Sequence, residues 1–272
     1  MGNWLVLTAG LGASDFEEAA CRLQHYSVRL PGVTKSVAVL TNDLELLAPN
    51  SALSLGGVEP RLLRGFGYWR YKSELIKRAM DGHWGEFDGI IWIDAGCEIN
   101  INMFSALYFR RMLTHAKQHG AMFYELKTPE ESFTKRKVLD YFSKRVINGG
   151  QSQIQATWFM LSGPVGRSIA EEWSFLAISR PDFFDDSESE NGEAPSFVEH
   201  RNDQSVLSLI CKSNQVRQFT YTPTSGPKSF KSSVRCFLHP IWNSRNRSGV
   251  TVIPRCYRVL GISFIHQFKS LF

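Results

Sequence analysis

Apolar residues along this chain fall into short runs separated by polar, glycine-containing breaks. Leu5-Val-Leu-Thr8 reads as a first strand. Ser14 or Asp15 is placed to cap a helix running to about Tyr26, and Ser36–Leu40 reads as a second strand. Strand, helix and strand at this spacing predict a βαβ unit. After an irregular stretch from 49 to 67, Ser73 is expected to cap a helix with Leu75, Ile76, Ala79 and Met80 on one face. Gly89-Ile-Ile-Trp-Ile93 follows, an apolar run too short for a helix that reads as a buried, parallel strand. Further along, the pattern predicts a helix over Asn102–His119, a strand over Met122–Leu126 and helical structure around Lys135–Val146. It then predicts a strand over Ala156–Leu161, a helix over Gly163–Leu176 and a helical core at Ser205–Ile210. Residues 182–196 carry six acidic side chains and few apolar ones, so they read as a mobile surface loop.

This alternation of strands and helices over 272 residues predicts an α/β protein, one large domain rather than two. Hydrophobic residues make up 43% and charged residues 21%, proportions of an ordinary globular chain, and no apolar run is long enough to cross a bilayer. The start of the chain reads as a strand, without the pattern of a secretory signal. Five widely spaced cysteines form no CxxC pair and read as reduced thiols, the expectation for a cytoplasmic protein. Charge changes the picture more. Ten of the 31 Lys and Arg residues lie after Asp203, and none of the 26 acidic residues does. A basic final third implies an anionic partner: a nucleotide diphosphate, a lipid surface or nucleic acid. The cations are dispersed and accompany no recognised nucleic-acid-binding motif, which ranks nucleic acid last. Residues 251–272 mix Arg255, Arg258 and Lys269 with many large apolar side chains, a combination suited either to core packing or to peripheral contact with the inner membrane face.

Several residues carry candidate chemistry. Asp94 stands where its strand ends, and in open α/β sheets the carboxyl ends of strands line the ligand crevice. A carboxylate there serves either to hold a divalent metal against phosphates or to cap the following loop. Lys72, beside a helix start, is a candidate phosphate contact. Arg245 and Arg247 carry guanidinium forks suited to diphosphate oxygens. Tyr68 and Trp69 are placed either to stack on a base or sugar or to fill core space. Asp203 and Gln204 open a helix and are the strongest candidates for a reacting centre. Glu199 is an alternative base, and His200 is placed to tune it or to hold an acceptor.

Three segments taken in order carry a resemblance: Gly67-Tyr-Trp69 with Lys72, then Asp94-Ala-Gly-Cys97 with Asn100, then His200-Arg201 with Asp203-Gln-Ser205. Together they resemble bacterial GT-A-type glycosyltransferases that build surface polysaccharide or lipopolysaccharide. The resemblance covers residues 1 to about 250. It implies a single GT-A domain with a mixed, mostly parallel central sheet flanked by helices, followed by the basic segment 251–272. It also implies a nucleotide-sugar donor, a UDP-sugar first among them, a glycan or lipid-linked acceptor, and a Mn²⁺ or Mg²⁺ ion. Thr8, Ala95 and Gly96 fall at positions expected to line the donor. Where many GT-A enzymes have Asp-x-Asp, this chain has Asp94-Ala95-Gly96, so the second carboxylate is missing. Asp94 and a late histidine, His239, are the metal-ligand candidates that the resemblance offers, with a backbone carbonyl, water or Cys97 to fill the gap. The Asp203-Gln204 pair implies transfer with retention. The competing readings are a degenerate GT-A domain that binds nucleotide or glycan without turnover, and a nucleic-acid-binding protein.

Overall fold

The computed structural model describes residues 2–46, 54–55, 57–146, 152–218, 234 and 236–247. In chain order the main elements are β1 (Trp4–Gly10), α1 (Ser14–Ser27), β2 (Val33–Leu40), α2 (Tyr71–Met80), β3 (Gly89–Ile93), β4 (Glu98–Ile99), α3 (Met103–His119), β5 (Ala121–Met122) and β6 (Glu125–Pro129). They continue with α4 (Glu130–Phe133), α5 (Arg136–Phe142), β7 (Ser152–Ile154), β8 (Trp158–Ser162), α6 (Gly163–Ser179), α7 (Asn202–Ser213) and β9 (Ile241–Trp242). The central sheet has the order β2-β1-β3-β8-β5. β1 pairs in parallel with β2 and with β3, and β8 runs antiparallel to both its neighbours. This is the α/β class the sequence predicts, with a mixed, mostly parallel sheet between helices.

Every residue of β1 and β3 is buried, as expected where helices cover both faces of a sheet. Alternation divides their side chains. Leu5, Leu7, Ile90 and Trp92 join the larger core with Leu75, Ile169 and Val206 from α2, α6 and α7. Trp4, Val6, Ile91 and Ile93 face Leu23 of α1 and Phe109 and Met112 of α3. The antiparallel register of β8 sets Ile93 opposite Trp158. The segment entering β8 therefore lies beside the carboxyl end of β3, where Asp94 stands.

Local chemistry accounts for most boundaries. α3 begins at a capping box in which Asn102 Oδ1 accepts from the Ser105 N–H and Ser105 Oγ accepts from the Asn102 N–H, both at 2.9 Å. Four expectations need correction. The residue before α1 is Ala13, without a side-chain cap, so neither Ser14 nor Asp15 plays that part. Ser73 does not cap α2: the helix starts at Tyr71, and Ser73 Oγ donates to the Arg70 carbonyl. The strand expected over 122–126 is divided between β5 and β6, which belong to different sheets, and Phe123 and Tyr124 between them are fully buried. The helix around 135–146 ends at Phe142.

Before α2 the chain makes a left-handed turn in which Gly65, Phe66, Gly67, Tyr68 and Trp69 have φ of 57°, 55°, 85°, 58° and 58°. Three of these residues bear a Cβ, and each costs about 1 kcal/mol in this region. The acidic stretch 182–196, read as a mobile surface loop, is tied at several points. Lys135 Nζ donates to Asp185 Oδ1, the Arg136 N–H to Glu193 and Asn202 Nδ2 to Asp186 Oδ1. Segment 251–272, with its membrane reading, lies outside the described residues. Among the described residues, no helix is long and apolar enough to cross a membrane.

Candidate functional site

Trp92 and Asp94 are two residues apart at the end of β3 and so share a face. The Trp92 indole donates to Asp94 Oδ1 at 2.8 Å, and the Asp94 N–H donates to the Thr157 carbonyl at 2.8 Å. Lys72, in the first turn of α2, reaches the same carboxylate: its Nζ stands 2.9 Å from Asp94 Oδ1 and 3.0 Å from Asp203 Oδ2. The Asp203 contact is an ion pair by distance, although its angle falls short of a hydrogen bond. The ammonium also lies 5.7 Å from the Trp92 ring centre, over its face. Lys72 and Asp203 are buried, whereas the Asp94 side chain keeps 34% of its surface open. The three motifs, far apart in sequence, thus meet at one buried ammonium between two carboxylates.

The electrostatics follow from this arrangement. Burial pushes the Asp203 carboxyl up to about 6, against the pull of Lys72 and with a further push from Asp94. Burial works against the Lys72 ammonium, but the charges of Asp203 and Asp94 outweigh it, so its pKa stands above the ordinary lysine value. At pH 7 the Asp203 carboxyl is therefore largely ionised beside the Lys72 cation.

The turn after Asp94 is braced from outside. Arg22, buried in α1, donates to the carbonyls of Ala95, Cys97 and Asn246 and lies 3.7 Å from Glu98 Oε1. The Gly96 carbonyl accepts from Ser244 Oγ and from the Asn246 N–H. A Cβ on Gly96 would sit 3.3 Å from Arg245 Cα, so the glycine permits the two backbones to approach. This docking brings exposed Arg245 and Arg247 alongside the Asp94 turn, with the Arg247 guanidinium 4.7 Å from the centre of the Phe16 ring.

Among the described residues, no group of three or more His, Cys, Asp and Glu side chains gathers to hold a metal ion. Oδ1 of Asp94 already serves Lys72 and Trp92, and the carbonyls of residues 95, 96 and 97 are taken by Arg22, Ser244 and Asn246. Cys97 is buried, which holds its thiol well above the usual range, and its Sγ contacts Asn243 Oδ1 at 3.5 Å. His239 has both ring nitrogens engaged, Nδ1 with the Ile241 carbonyl at 2.9 Å and Nε2 with the Tyr124 hydroxyl at 2.7 Å. It is enclosed by the rings of Tyr108, Tyr124 and Trp158, and burial pushes its pKa down to about 3. As a ligand candidate, His239 is corrected to a buried neutral residue that locks the β4–β9 ladder to the sheet.

Other candidates separate from the centre. His200 is likewise spent: Nε2 donates to the Phe183 carbonyl at 2.8 Å, Nδ1 accepts from the Lys135 N–H, and burial lowers its pKa to about 4. It holds no acceptor in this arrangement. Glu199 is 53% exposed and pairs with Arg201, not with Asp203. Thr8 is fully buried on the Trp4 and Val6 face of β1, opposite the face of Trp92 and Asp94. Tyr68 and Trp69 pack partly against the core, Trp69 also against the Arg64 guanidinium. Gln204 accepts from the Ala156 N–H at 3.2 Å and donates to Gln153 Oε1 at 2.7 Å, which ties the start of α7 to the segment entering β8.

The buried histidines give a pH signature. A neutral histidine whose folded pKa lies below its unfolded value loses stability as pH falls through the interval between them. His200 and His239 therefore destabilise the fold as pH drops from about 6.5 to 4. Asp203, raised to about 6, acts in the opposite direction over the lower part of that window. Two groups outweigh one, so urea midpoints are expected to fall between pH 7 and pH 5. Replacing His239 with Phe should flatten that dependence; an unchanged slope would count against it.

Sequence reasoning passed over Trp92, Arg22 and Gln153 as site residues. Only Trp92 carried a signal, its i,i+2 spacing from Asp94. No family model and no curated protein matches the chain. Among solved structures, the apo form of mouse xyloside xylosyltransferase 1 is similar over 89% of this chain and 97% of that one, at 11% identity and a TM-score of 0.44. The apo structure of the bifunctional glycosyltransferase WbbM is similar over 89% of this chain, at 10% identity and a TM-score of 0.41. The match spans 45% of WbbM's length.

Proposed function

We propose that this chain is a GT-A-type glycosyltransferase that moves a sugar from a nucleotide diphosphate, a UDP-sugar by preference, to a glycan or lipid-linked acceptor. The observation that carries the reading is the Lys72 ammonium held between Asp94 and Asp203, because it unites the three motifs of the resemblance at the carboxyl end of a buried parallel strand. Glycosyl transfer needs charge stabilised on the leaving diphosphate, a positioned donor and a proton accepted from the incoming hydroxyl. Arg245 and Arg247 supply cations for the first. Asp94, one-third open, and Lys72 offer an acceptor and a donor to sugar hydroxyls. Asp203 is the group that faces the reacting carbon or the acceptor hydroxyl, with retention the outcome implied by its pairing with Gln204. A carboxylate whose pKa lies near 6 is ionised at pH 7 yet still able to take a proton.

A thermal-shift panel of UDP-, GDP- and CMP-sugars, each with Mn²⁺ and with EDTA, tests the reading. One nucleotide class should raise the melting temperature; at a hundred times Kd, binding contributes about 2.7 kcal/mol. EDTA should leave that shift unchanged. Slow release of free nucleotide from the stabilising donor should accompany it. Binding without turnover would instead favour the degenerate domain, and no shift from any nucleotide would remove the glycosyltransferase reading.

A further inference from the structure

α3 buries one stripe of its surface, where Phe109, Met112, Leu113 and Ala116 enter the core, and turns the opposite stripe to solvent. At helical spacing, positions 103, 104, 107, 110 and 111 share this outer face. Its first part is apolar: Met103, Phe104 and Leu107 are 68%, 50% and 55% exposed. The next turn carries Arg110 and Arg111, both exposed. Among the described residues neither guanidinium has an ion-pair partner, whereas Lys117, two turns further on, is held by Asp88 at 2.8 Å. The patch continues beyond the helix. The Phe104 ring lies 6.4 Å from the Phe237 ring, and the following residue, Leu238, is 39% exposed. Single exposed apolar side chains are ordinary on a protein surface, but a contiguous group beside unpaired cations marks a contact face.

Charge narrows what can cover it. No Asp or Glu occurs between Glu98 and Glu125, and none after Asp203, so both segments that build the patch lack acids. A second copy set face to face would bring two pairs of arginines together, a like-charge contact. Residues 251–272 carry Arg255, Arg258 and Lys269 and no acid, so they offer the guanidinium groups no counter-charge. The outer side of a helix is convex, and a protein partner would need a matching apolar groove rimmed with acids. An anionic bilayer meets both demands without a preformed shape: its acyl region takes the apolar side chains and its phosphates take the arginines. We infer that this face of α3, with Leu238 beside it, rests on an anionic lipid surface. The inference stands on surface chemistry alone, so its failure and that of the glycosyltransferase reading are separate results.

Flotation of the full chain tests it, with vesicles of phosphatidylcholine and vesicles that mix phosphatidylcholine and phosphatidylglycerol equally. Wild type should float with the mixed vesicles and not with the neutral ones, and binding should weaken as salt rises. Phe104→Ser combined with Leu107→Ser should weaken binding about tenfold or more. Arg110→Gln combined with Arg111→Gln should weaken it about twenty-five-fold, fivefold for each cation lost. Phe175→Ser is the control: Phe175, on α6, is 63% exposed and lies on another helix, so binding should match wild type. All variants should melt within about 2 °C of wild type, because the replaced side chains are exposed. A wild type that ignores the mixed vesicles, or binds neutral ones equally well, would overturn the inference. So would α3 variants that bind like wild type, a control that loses as much as they do, or a fall of several degrees in the melting temperature of both α3 variants, which would show the stripe to be packed. A wild type that sediments as a dimer broken by the Phe104 and Leu107 changes would also overturn it, and would assign the face to a second copy.

Discussion

Asp203→Asn should lower sugar transfer by about 10²–10⁴-fold, the range expected when a positioned acid–base group is removed. Nucleotide affinity should change little, because the arginines assigned to the diphosphate lie on the 243–247 segment. The fold should tolerate the change. Asn is close to Asp in size, Lys72 retains Asp94 as a partner at 2.9 Å, and the replaced carboxyl is one that burial already disfavours in its charged form. The pH profile gives an independent reading. Wild-type activity should decline below about pH 6 as Asp203 takes up its proton. Turnover close to wild type in the variant would place the reacting group elsewhere.

The second large effect is on stability. Lys72→Met leaves two carboxylates facing each other without their cation, one of them buried. Removing one partner from a buried ion pair costs about 3–5 kcal/mol. The deficit should depend on pH in a defined sense. Without Lys72 the folded-state pKa of Asp203 rises above its present value of about 6, and a raised carboxyl loses stability as pH rises. Urea unfolding should therefore show a large deficit at pH 7.5 and a smaller one at pH 5. The histidines affect wild type and variant alike and cancel in the difference. A deficit below 1 kcal/mol, or one equal at both pH values, would show that Lys72 does not hold this centre together.

The sheet and the place of Asp94 were legible because an apolar run of four residues bounded by glycine and aspartate admits few other interpretations. The helix over 102–119 was legible from its amphipathic pattern, and the structure adds its Asn102 cap and its closing Gly120. Less visible were features that depend on how distant segments pack. Lys72 read as a candidate phosphate contact beside a helix start, but the approach of α7 makes it the shared partner of two carboxylates. His200 and His239 read as chemistry because histidine often is. Only tertiary packing reveals that a backbone carbonyl and a backbone N–H, or a carbonyl and a tyrosine, already occupy their nitrogens. β4 and β9 are two residues each, too short for any period to register. The order of the three motifs carried information about the centre that no single motif did.

The docking of residues 243–247 on Gly96 has a consequence for how the protein is made. Ser244 reaches Gly96 across 148 positions, and Arg22 reaches Asn246 across 224. The central sheet has all its strands once residue 162 has left the ribosome, yet the wall that carries Arg245 and Arg247 arrives some eighty residues later. Contacts of such separation form slowly, because a long loop must close before they yield any gain. A nascent chain therefore passes through an interval in which the sheet is built but the wall carrying the two arginines is missing. The role proposed for Arg245 and Arg247, holding a diphosphate, is among the last the growing polypeptide could take up.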